Sequence, residues 1–278
     1  MYTDVFGLDV SCGCLVNMVQ SFSEKARGIY DTIRQRVSSS AVVGADETGT
    51  CIKGKNGWTW VFQTPYATYI HSDKSRSKAV IDKLFPEGFA KSVLVHDCWK
   101  PYFKVTSKGH QICTAHLLRE LKYLDKIYPQ QQWTGDFSSL LHKALDLKKN
   151  LCVVDYLQPV PQRTELEQQL DCLLNQEINI EQKKLIVFKE RIIRYRNYLF
   201  SFLYHPEIPP DNNASERAVR TFKVKQKVSG LFRSQEGAKA FAVIRSVIDT
   251  TIKNAKNVLE ALALVALCKG LNSYHLQN

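Results

Sequence analysis

The chain has no apolar run long enough to cross a membrane. Its most apolar stretch, from Val258 to Cys268, is far shorter than the roughly 20 residues that a spanning helix needs. The first residues, from Met1 to Asp4, lack the basic segment and the apolar core of a signal peptide. These two absences predict a cytoplasmic protein without a membrane-inserted segment.

Cysteine pairs with the spacing of a metal site are missing as well. Eight cysteines are spread thinly along the chain, and Cys12-Gly13-Cys14 alone offers too few ligands to hold a metal. Several of the others lie inside apolar runs, as reduced and buried cysteines do. We therefore expect a reduced protein. The sequence also contains no internal repeat and no low-complexity tract.

Negative charge is scarce. The 278 residues include 38 Lys and Arg against 27 Asp and Glu, which gives a net charge of +11. Such an excess predicts a polyanionic partner, of which nucleic acid is the commonest. A basic protein whose charges merely face solvent is the alternative that charge alone leaves open.

Short apolar and β-branched runs predict the strands of an α/β fold. They lie at residues 41–46, 58–63, 67–71, 92–97 and 109–113. A helix is expected between the third and the fourth run, and another after the fifth. Three strands in a meander, followed by helix, strand, strand and helix, predict a mixed sheet.

Other segments have the apolar spacing of helices. Residues 22–37 do, and Ser11 could cap a short helix before them. Residues 133–203 are wholly helical in pattern, and 205–210 form a linker rich in proline. Because a helix of α/β type returns after this linker, the helical segment interrupts the α/β part of the chain.

Two acids end predicted strands, Asp46 and Asp97. Acids in this position often line ligand crevices of α/β sheets, and a buried one is costly unless a metal or a cation pairs with it. Glu47 cannot share the site of Asp46, because neighbouring residues of a strand point to opposite faces. The alternative is that each Asp merely begins a turn.

A third acid, Glu216, lies in the motif Asp-Asn-Asn-Ala-Ser-Glu-Arg at 211–217. A purely structural role for this acid is the alternative. Asn213 could cap a helix and Glu216 could complete a capping box as the third helical residue. Spacing alone leaves both interpretations open.

Four motifs occur in an informative order, at residues 44–48, 95–102, 113–119 and 211–217. Together with residues 225–234 and 237–238 and the helix from Ile244 to Asn254, they resemble the bacterial insertion-sequence DDE transposases of the insertion-sequence-sixty-six family. The resemblance covers roughly residues 41–265. The Asp-Asn-Asn-Ala-x-Glu-Arg motif is highly specific, whereas Asp-Glu-Thr at 46–48 is weak.

The resemblance implies a ribonuclease-H-like mixed sheet, interrupted by an all-helical insertion and flanked by short helical N-terminal and C-terminal parts. The implied domains are a helical remnant of a DNA-binding region at 1–40, a catalytic domain at 41–130 and 206–278, and the insertion at 131–205.

The resemblance also implies a catalytic site. Asp46, Asp97 and Glu216 would hold two Mg²⁺ or Mn²⁺ ions, with Asp46 bridging them. Hydrolysis at an element end would free a 3′-hydroxyl that attacks target DNA.

Further residues are expected near this site. Cys113 and His116 resemble a Cys-x-x-His element of several DDE transposases, and Arg119 belongs to the same motif. We interpret His116 as a group near the active site or its DNA, with a core histidine as the alternative. Trp99 and Tyr102 could stack on an unpaired base or could belong to the core.

Basic residues are concentrated after the third acid. Between Arg217 and Lys256 there are ten Lys or Arg and two acids. We expect phosphate contacts here, although a solvated face is the alternative. The expected DNA-binding residues are Arg217, Arg220, Lys223, Lys225, Lys227 and Arg233. The next basic cluster, in the helical segment, is Lys183, Lys184, Lys189, Arg191, Arg194 and Arg196.

The expected partner is double-stranded DNA, both element ends and target, in a cytoplasmic, nucleoid-associated setting without a membrane. A homo-oligomer and accessory proteins of the element stay open. Only about forty residues precede Asp46, so a shortened, inactive remnant that only binds DNA is one alternative. A ribonuclease-H-like nuclease, such as a junction resolvase, is another, and a two-carboxylate glycosidase is disfavoured by the charge.

Overall fold

The computed structural model describes residues 7–267. The expectations for Met1 to Asp4 and for Cys268 lie outside this range. The chain forms two compact units, the first from Met1–Ser92 with Ala214–Asn278 and the second from Val93–Asn213. Within the described range, no helix combines the length and the apolar character that spanning a bilayer requires.

Five strands form one mixed sheet in the order β3-β2-β1-β4-β5. They are β1 (Val42–Ile52), β2 (Lys55–Gln63), β3 (Thr68–Asp73), β4 (Phe89–His96) and β5 (Ser107–Ile112). Each of the five expected strands is present, so the α/β class and the mixed sheet are confirmed. One expectation was wrong. Asp46 does not end its strand, because β1 continues to Ile52.

The first three strands form the expected antiparallel meander. A two-residue turn at Lys53 and Gly54 joins β1 to β2, and both residues have positive φ (51° and 74°). This backbone matches the right-handed twist of the paired strands, and glycine adopts it without strain. Asp46 pairs with Val61, and Val61 pairs with Ile70. The three side chains therefore share one face of the sheet.

The first unit contains α1 (Cys12–Lys25), α2 (Arg27–Ser38), α3 (Lys78–Leu84), α10 (Gln235–Lys253), α11 (Val258–Leu267) and nearly all of α9 (Asn213–Ser229). The segment expected to be one helix over 22–37 is divided at Ala26 between α1 and α2. The expected cap is confirmed, since Ser11 Oγ accepts a hydrogen bond of 3.1 Å from the Cys14 N–H.

The second unit is mainly helical, as its apolar spacing predicted. It contains α4 (Thr114–Ile127), α5 (Gln132–Asn150), α6 (Pro161–Asn175), α7 (Lys183–Arg194) and α8 (Ser201–Tyr204), with 3₁₀ turns at Tyr102–Lys104, Val153–Leu157 and Arg196–Tyr198. Gln111 of β5 ties the strand to these helices. It is buried, and its amide donates to the Leu199 carbonyl (2.9 Å) and accepts from the Phe202 N–H (3.0 Å).

Helix α10 covers the edge strand of the sheet. Thr250 Oγ1 accepts from the Thr68 N–H at 3.0 Å, and Ser246 Oγ accepts from the Ile70 N–H at 2.9 Å. An edge strand presents backbone groups that have no strand partner, and a helix can satisfy them in this way. The hydroxyls thereby fix α10 along β3.

Replacing Ser246 by Ala should destabilise the first unit. The serine is fully buried, so the Ile70 N–H would lose its partner where water does not reach it. The expected cost is about 1–3 kcal/mol. Urea unfolding and hydrogen exchange at the Ile70 amide measure it. Ser139→Ala on the exposed face of α5 is the matched control, and equal losses in both variants would contradict the assigned role.

Candidate functional site

Asp46 lies on the face of the sheet that α9 covers. Its strand neighbours on this face, Val61 and Ile70, belong to an apolar cluster with Ala218 and Phe222 of α9. The cluster arises because residues four apart on a helix project to the same side. The carboxylate of Asp46 is therefore a polar group on a face that is otherwise built for helix packing.

Three contacts define the direction in which α9 crosses β1. Phe232, which follows the helix, donates its N–H to the Cys51 carbonyl (2.9 Å) and accepts from the Lys53 N–H (2.7 Å). Lys223 Nζ donates to the Gly49 carbonyl at 2.7 Å. The C-terminal end of α9 thus lies at the C-terminal end of β1, so the helix runs parallel to the strand.

This direction places the first turn of α9, which carries Glu216, near the level of Asp46 along the strand. The acid lies two helical turns before Lys223, a distance of about 10 Å along the axis. Asp46 precedes Gly49 by three strand residues, which is also about 10 Å. Because Lys223 reaches Gly49, the same displacement along both elements brings the first turn of α9 to the level of Asp46.

Glu47 is engaged elsewhere, as strand alternation predicted. Its carboxylate is 2.6 Å from the Arg76 guanidinium, and its side chain is only 1% exposed. Its N–H donates to Asp46 Oδ1 at 2.9 Å. The contact orients one carboxylate oxygen of Asp46, and the adjacent acid is neutralised on its own side of the strand.

Helix α9 begins at Asn213, with Glu216 in its first turn. The Asn213 N–H is bound by Asp211 Oδ1 at 3.0 Å. The helix thus begins one residue earlier than a capping box between Asn213 and Glu216 needs. Glu216 is half-buried, on the flank of the helix rather than on its apolar side.

In the second unit, Asp97 directly follows β4, as expected. Its Oδ1 accepts a 2.9 Å hydrogen bond from the Trp99 N–H. A side chain that binds its own backbone two residues later forms an Asx turn. The carboxylate therefore has a fixed orientation at the end of a buried strand.

A groove of about 530 Å³ opens beside this turn. It is lined among others by Asp97, Trp99, His116, Arg119, Tyr123 and Arg191. Arg191 also pairs with Glu120 at 2.6 Å. The groove joins an acid to aromatic rings and cations, a combination suited to a nucleotide or its phosphate.

The residue before Asp97, His96, is fully buried. Its Nε2 lies 3.0 Å from His110 Nδ1, and His110 Nε2 lies 3.1 Å from Ser107 Oγ. Burial lowers the pKa of His96 to about 3 and that of His110 to about 4. Both rings are therefore neutral at pH 7.

Two of the sequence motifs meet within the second unit. Cys113 precedes α4 and its Sγ accepts from the Asn212 N–H at 3.2 Å. The next residue, Thr114, donates both its N–H (3.0 Å) and its hydroxyl (2.9 Å) to the Pro210 carbonyl. The Cys-x-x-His segment thus anchors the chain just before α9 begins.

The sequence model of the transposase IS66 family matches residues 1–240. The chain belongs to this family. No curated protein matches it. The family match confirms the resemblance and assigns the chain a transposase role. It begins 40 residues before the segment carried by the motifs and ends before Ile244–Asn254.

The residues expected near the transposase site differ in their surroundings. Tyr102 is 1% exposed and packs on His96 with ring centroids 4.9 Å apart. Its side chain therefore belongs to the buried core. Trp99 is half-buried and His116 is the third residue of α4, and both line the groove. Arg119 is exposed at the groove, and its Nε donates to the Ala115 carbonyl.

The basic residues of α9 follow the third acid in a regular way. Arg220, Lys223 and Lys227 lie four, seven and eleven positions after Glu216. At 3.6 residues per turn these positions form one stripe along the helix. The stripe is separate from the apolar side that carries Ala218.

Not all of the six expected DNA-binding residues are equally available. Arg217, Arg220, Lys227 and Arg233 are exposed. The ammonium group of Lys223 donates a hydrogen bond to the Gly49 carbonyl. Lys225 lies over the Phe232 ring, 3.9 Å from its centroid, and burial lowers its pKa. The first four are therefore the better candidates for phosphate contact.

Sequence reasoning missed the histidine pair and part of the groove. His96 lies inside the motif at 95–102, beside Asp97, but the motif alone indicates no role for it. His110 and Tyr123 belong to no motif. In the sequence these two residues are distinguished only by lying near motif residues, and this proximity does not show which side chains they contact.

Proposed function

We propose that this transposase cuts DNA at insertion-sequence ends and joins the ends to target DNA, using Asp46, Asp97 and Glu216 as its catalytic carboxylates. The observation that carries the proposal, beside the family match, is the placement of Glu216 on the helix that crosses the Asp46 face of the sheet. A helix-capping role alone does not require this placement.

The proposed architecture is a ribonuclease-H-like catalytic domain formed by residues 41–130 and 206–278. A helical insertion at 131–205 would separate the parts, and 1–40 would belong to a DNA-binding region. The mixed sheet and the change to helices after β5 are consistent with this division.

The donor set fits Mg²⁺ or Mn²⁺. All three groups are carboxylates, and hard divalent cations prefer oxygen ligands. Asp46 and Asp97 each accept one backbone N–H through Oδ1. A carboxylate offers about four lone-pair sites, and these bonds orient the two groups. Two bound ions would activate the attacking oxygen and stabilise the leaving one.

The residues of the chain then have distinct roles. The three carboxylates would hold the metal ions, and the exposed Lys and Arg side chains after Glu216 would hold the DNA phosphates. A water oxygen forms a bond to phosphorus while the bond to the 3′ oxygen breaks, and the departing oxygen takes up a proton. In the second step this 3′-hydroxyl forms a bond to a target phosphorus, loses its proton and displaces the target 3′ oxygen, which takes up a proton.

The test is a reaction of the purified chain with a labelled element end and a plasmid, in Mg²⁺ and in Mn²⁺. We expect cleavage that exposes a 3′-hydroxyl, followed by a joined product. Cutting without joining would favour the ribonuclease-H-like nuclease. DNA binding without cutting would show an inactive remnant. Sizing of the protein–DNA complex in the same samples would show whether the chain acts as a homo-oligomer.

A further inference from the structure

We propose that His96 and His110 form a directed hydrogen-bond relay that positions Asp97, with His96 acting as a positioning residue through the Asp97 backbone. The inference rests on the proposed role of Asp97 as a cation ligand. It assigns a function to a buried pair that neither the family match nor the motifs explain.

The direction of the relay follows from its first member. His96 Nδ1 is hydrogen-bonded to the Asp97 carbonyl oxygen, and a carbonyl oxygen can only accept. His96 Nδ1 must therefore carry the proton. In a neutral imidazole the other nitrogen is then an acceptor, so His96 Nε2 accepts from His110.

The same argument extends to the second ring. His110 Nδ1 must carry a proton in order to donate to His96 Nε2 across 3.0 Å. Its Nε2 is then an acceptor, and the Ser107 hydroxyl donates to it across 3.1 Å. Every bond in the relay points from Ser107 toward Asp97, so the relay specifies the Nδ1–H tautomer at both histidines.

Aromatic packing holds the first ring in place. The His96 ring lies 4.7 Å from Phe103 between centroids, nearly perpendicular to it. Phe103 stacks on Tyr195 at 3.6 Å with an interplanar angle of 3°. The His96 carbonyl also accepts from the Cys113 N–H at 2.8 Å. Ring and backbone are thus both fixed, as positioning at sub-ångström precision requires.

Asp97 is consequently held at two points. Its carbonyl is bound by His96 and its Oδ1 by the Trp99 N–H. The first contact sets the backbone from which the side chain projects, and the second sets the rotation of the carboxylate. Loss of the first would leave Asp97 present but loosely oriented.

The tautomers can be tested without metal or DNA. Long-range proton–nitrogen spectra of the ¹⁵N-histidine-labelled chain should show Nδ1–H forms for two histidines. The His96→Asn and His110→Asn variants assign them, and the exposed His142 serves as the internal reference. An Nε2–H form at either buried ring would overturn the relay.

The positioning role is tested by Mn²⁺ binding, measured by electron paramagnetic resonance, and by cleavage. His96→Leu removes the donor and should weaken Mn²⁺ binding about 10- to 100-fold, the range for residues that orient a metal ligand. His96→Asn keeps an amide donor where Nδ1 lies and should restore most of the affinity. Equal affinities of wild type and His96→Leu would overturn the proposal.

A second pair of variants tests the relay independently, in case His96→Leu does not fold. His110→Leu removes the donor to His96, whereas His110→Asn retains one, so only the former should weaken Mn²⁺ binding. Asp97→Asn separates the two proposals. If it binds Mn²⁺ and cleaves like wild type, the proposed function fails, while the tautomers still report on the relay.

Discussion

Asp97→Asn should abolish DNA cleavage in Mg²⁺ while the chain stays folded. The substitution keeps the shape of the side chain and its hydrogen bond from the Trp99 N–H, but removes the charge that would hold a cation. We expect a loss of at least about 10²-fold, as when one preorganised charge-stabilising group is removed. Asp46→Asn and Glu216→Gln should have the same effect. Single-turnover cleavage of a labelled end measures it.

A thermal measurement separates loss of a ligand from loss of the fold. Clustered acids repel one another without metal, so the metal-free variants should melt at or above the temperature of the wild type. Added Mn²⁺ should stabilise the wild type by mass action and each variant much less. A variant that is stabilised equally by Mn²⁺ and still cleaves at the wild-type rate would remove its residue from the site.

The chain offers a matched control for the third acid. Glu236 lies in the first turn of α10 and is exposed, and Glu216 lies in the first turn of α9. Glu→Gln at either position removes the same favourable charge from a helix N-terminus, which is worth less than about 1 kcal/mol. Only Glu216→Gln should stop cleavage. Equal effects on activity would reduce Glu216 to a helix-stabilising role.

The strands were predictable because their signal is local. A run such as Ser92 to Asp97 combines β-branched and apolar residues in a length typical of strands, and β4 ends where that run predicts. The end of β1 was not predictable in this way. Residues 47–52 contain Glu, Gly and two Thr, and they are held in the strand by pairing with β2.

The acids could be proposed from sequence, but their support could not. Tyr102 carries the same aromatic signal as Trp99 but is buried, because the 3₁₀ turn at Tyr102–Lys104 directs its ring onto His96. The partner of His96 lies fourteen residues away on another strand. Contacts of this kind depend on tertiary structure, so the apolar periodicity of the sequence does not predict them.

Four exposed cations should account for much of the salt dependence of DNA binding. They are Arg217, Arg220, Lys227 and Arg233, each exposed on or just after α9. Each phosphate that a protein neutralises contributes about −0.9 to the slope of log affinity against log salt. Changing all four to Ala should therefore flatten the slope by roughly 3 to 4 units. Titrations at several salt concentrations measure it, and cleavage should fail as well.

The control must remove the same charge elsewhere, since net charge alone changes the long-range attraction of DNA. Four exposed lysines of the second unit, Lys108, Lys122, Lys126 and Lys143, serve this purpose. If both quadruple variants flatten the slope equally, only the overall charge matters. If the α9 variant leaves the slope unchanged, these residues belong to the solvated surface.

In that case the DNA path would move to the basic cluster of the helical segment, which the structure makes the weaker choice. Arg191 already pairs with Glu120, and Arg196 pairs with Glu167 and Asp171 at 2.6–2.7 Å. A guanidinium bound to a carboxylate must give up that partner before it can neutralise a phosphate. The exposed cations of α9 follow Glu216 on the same helix, so their phosphate contacts would also hold the DNA beside the proposed catalytic acid.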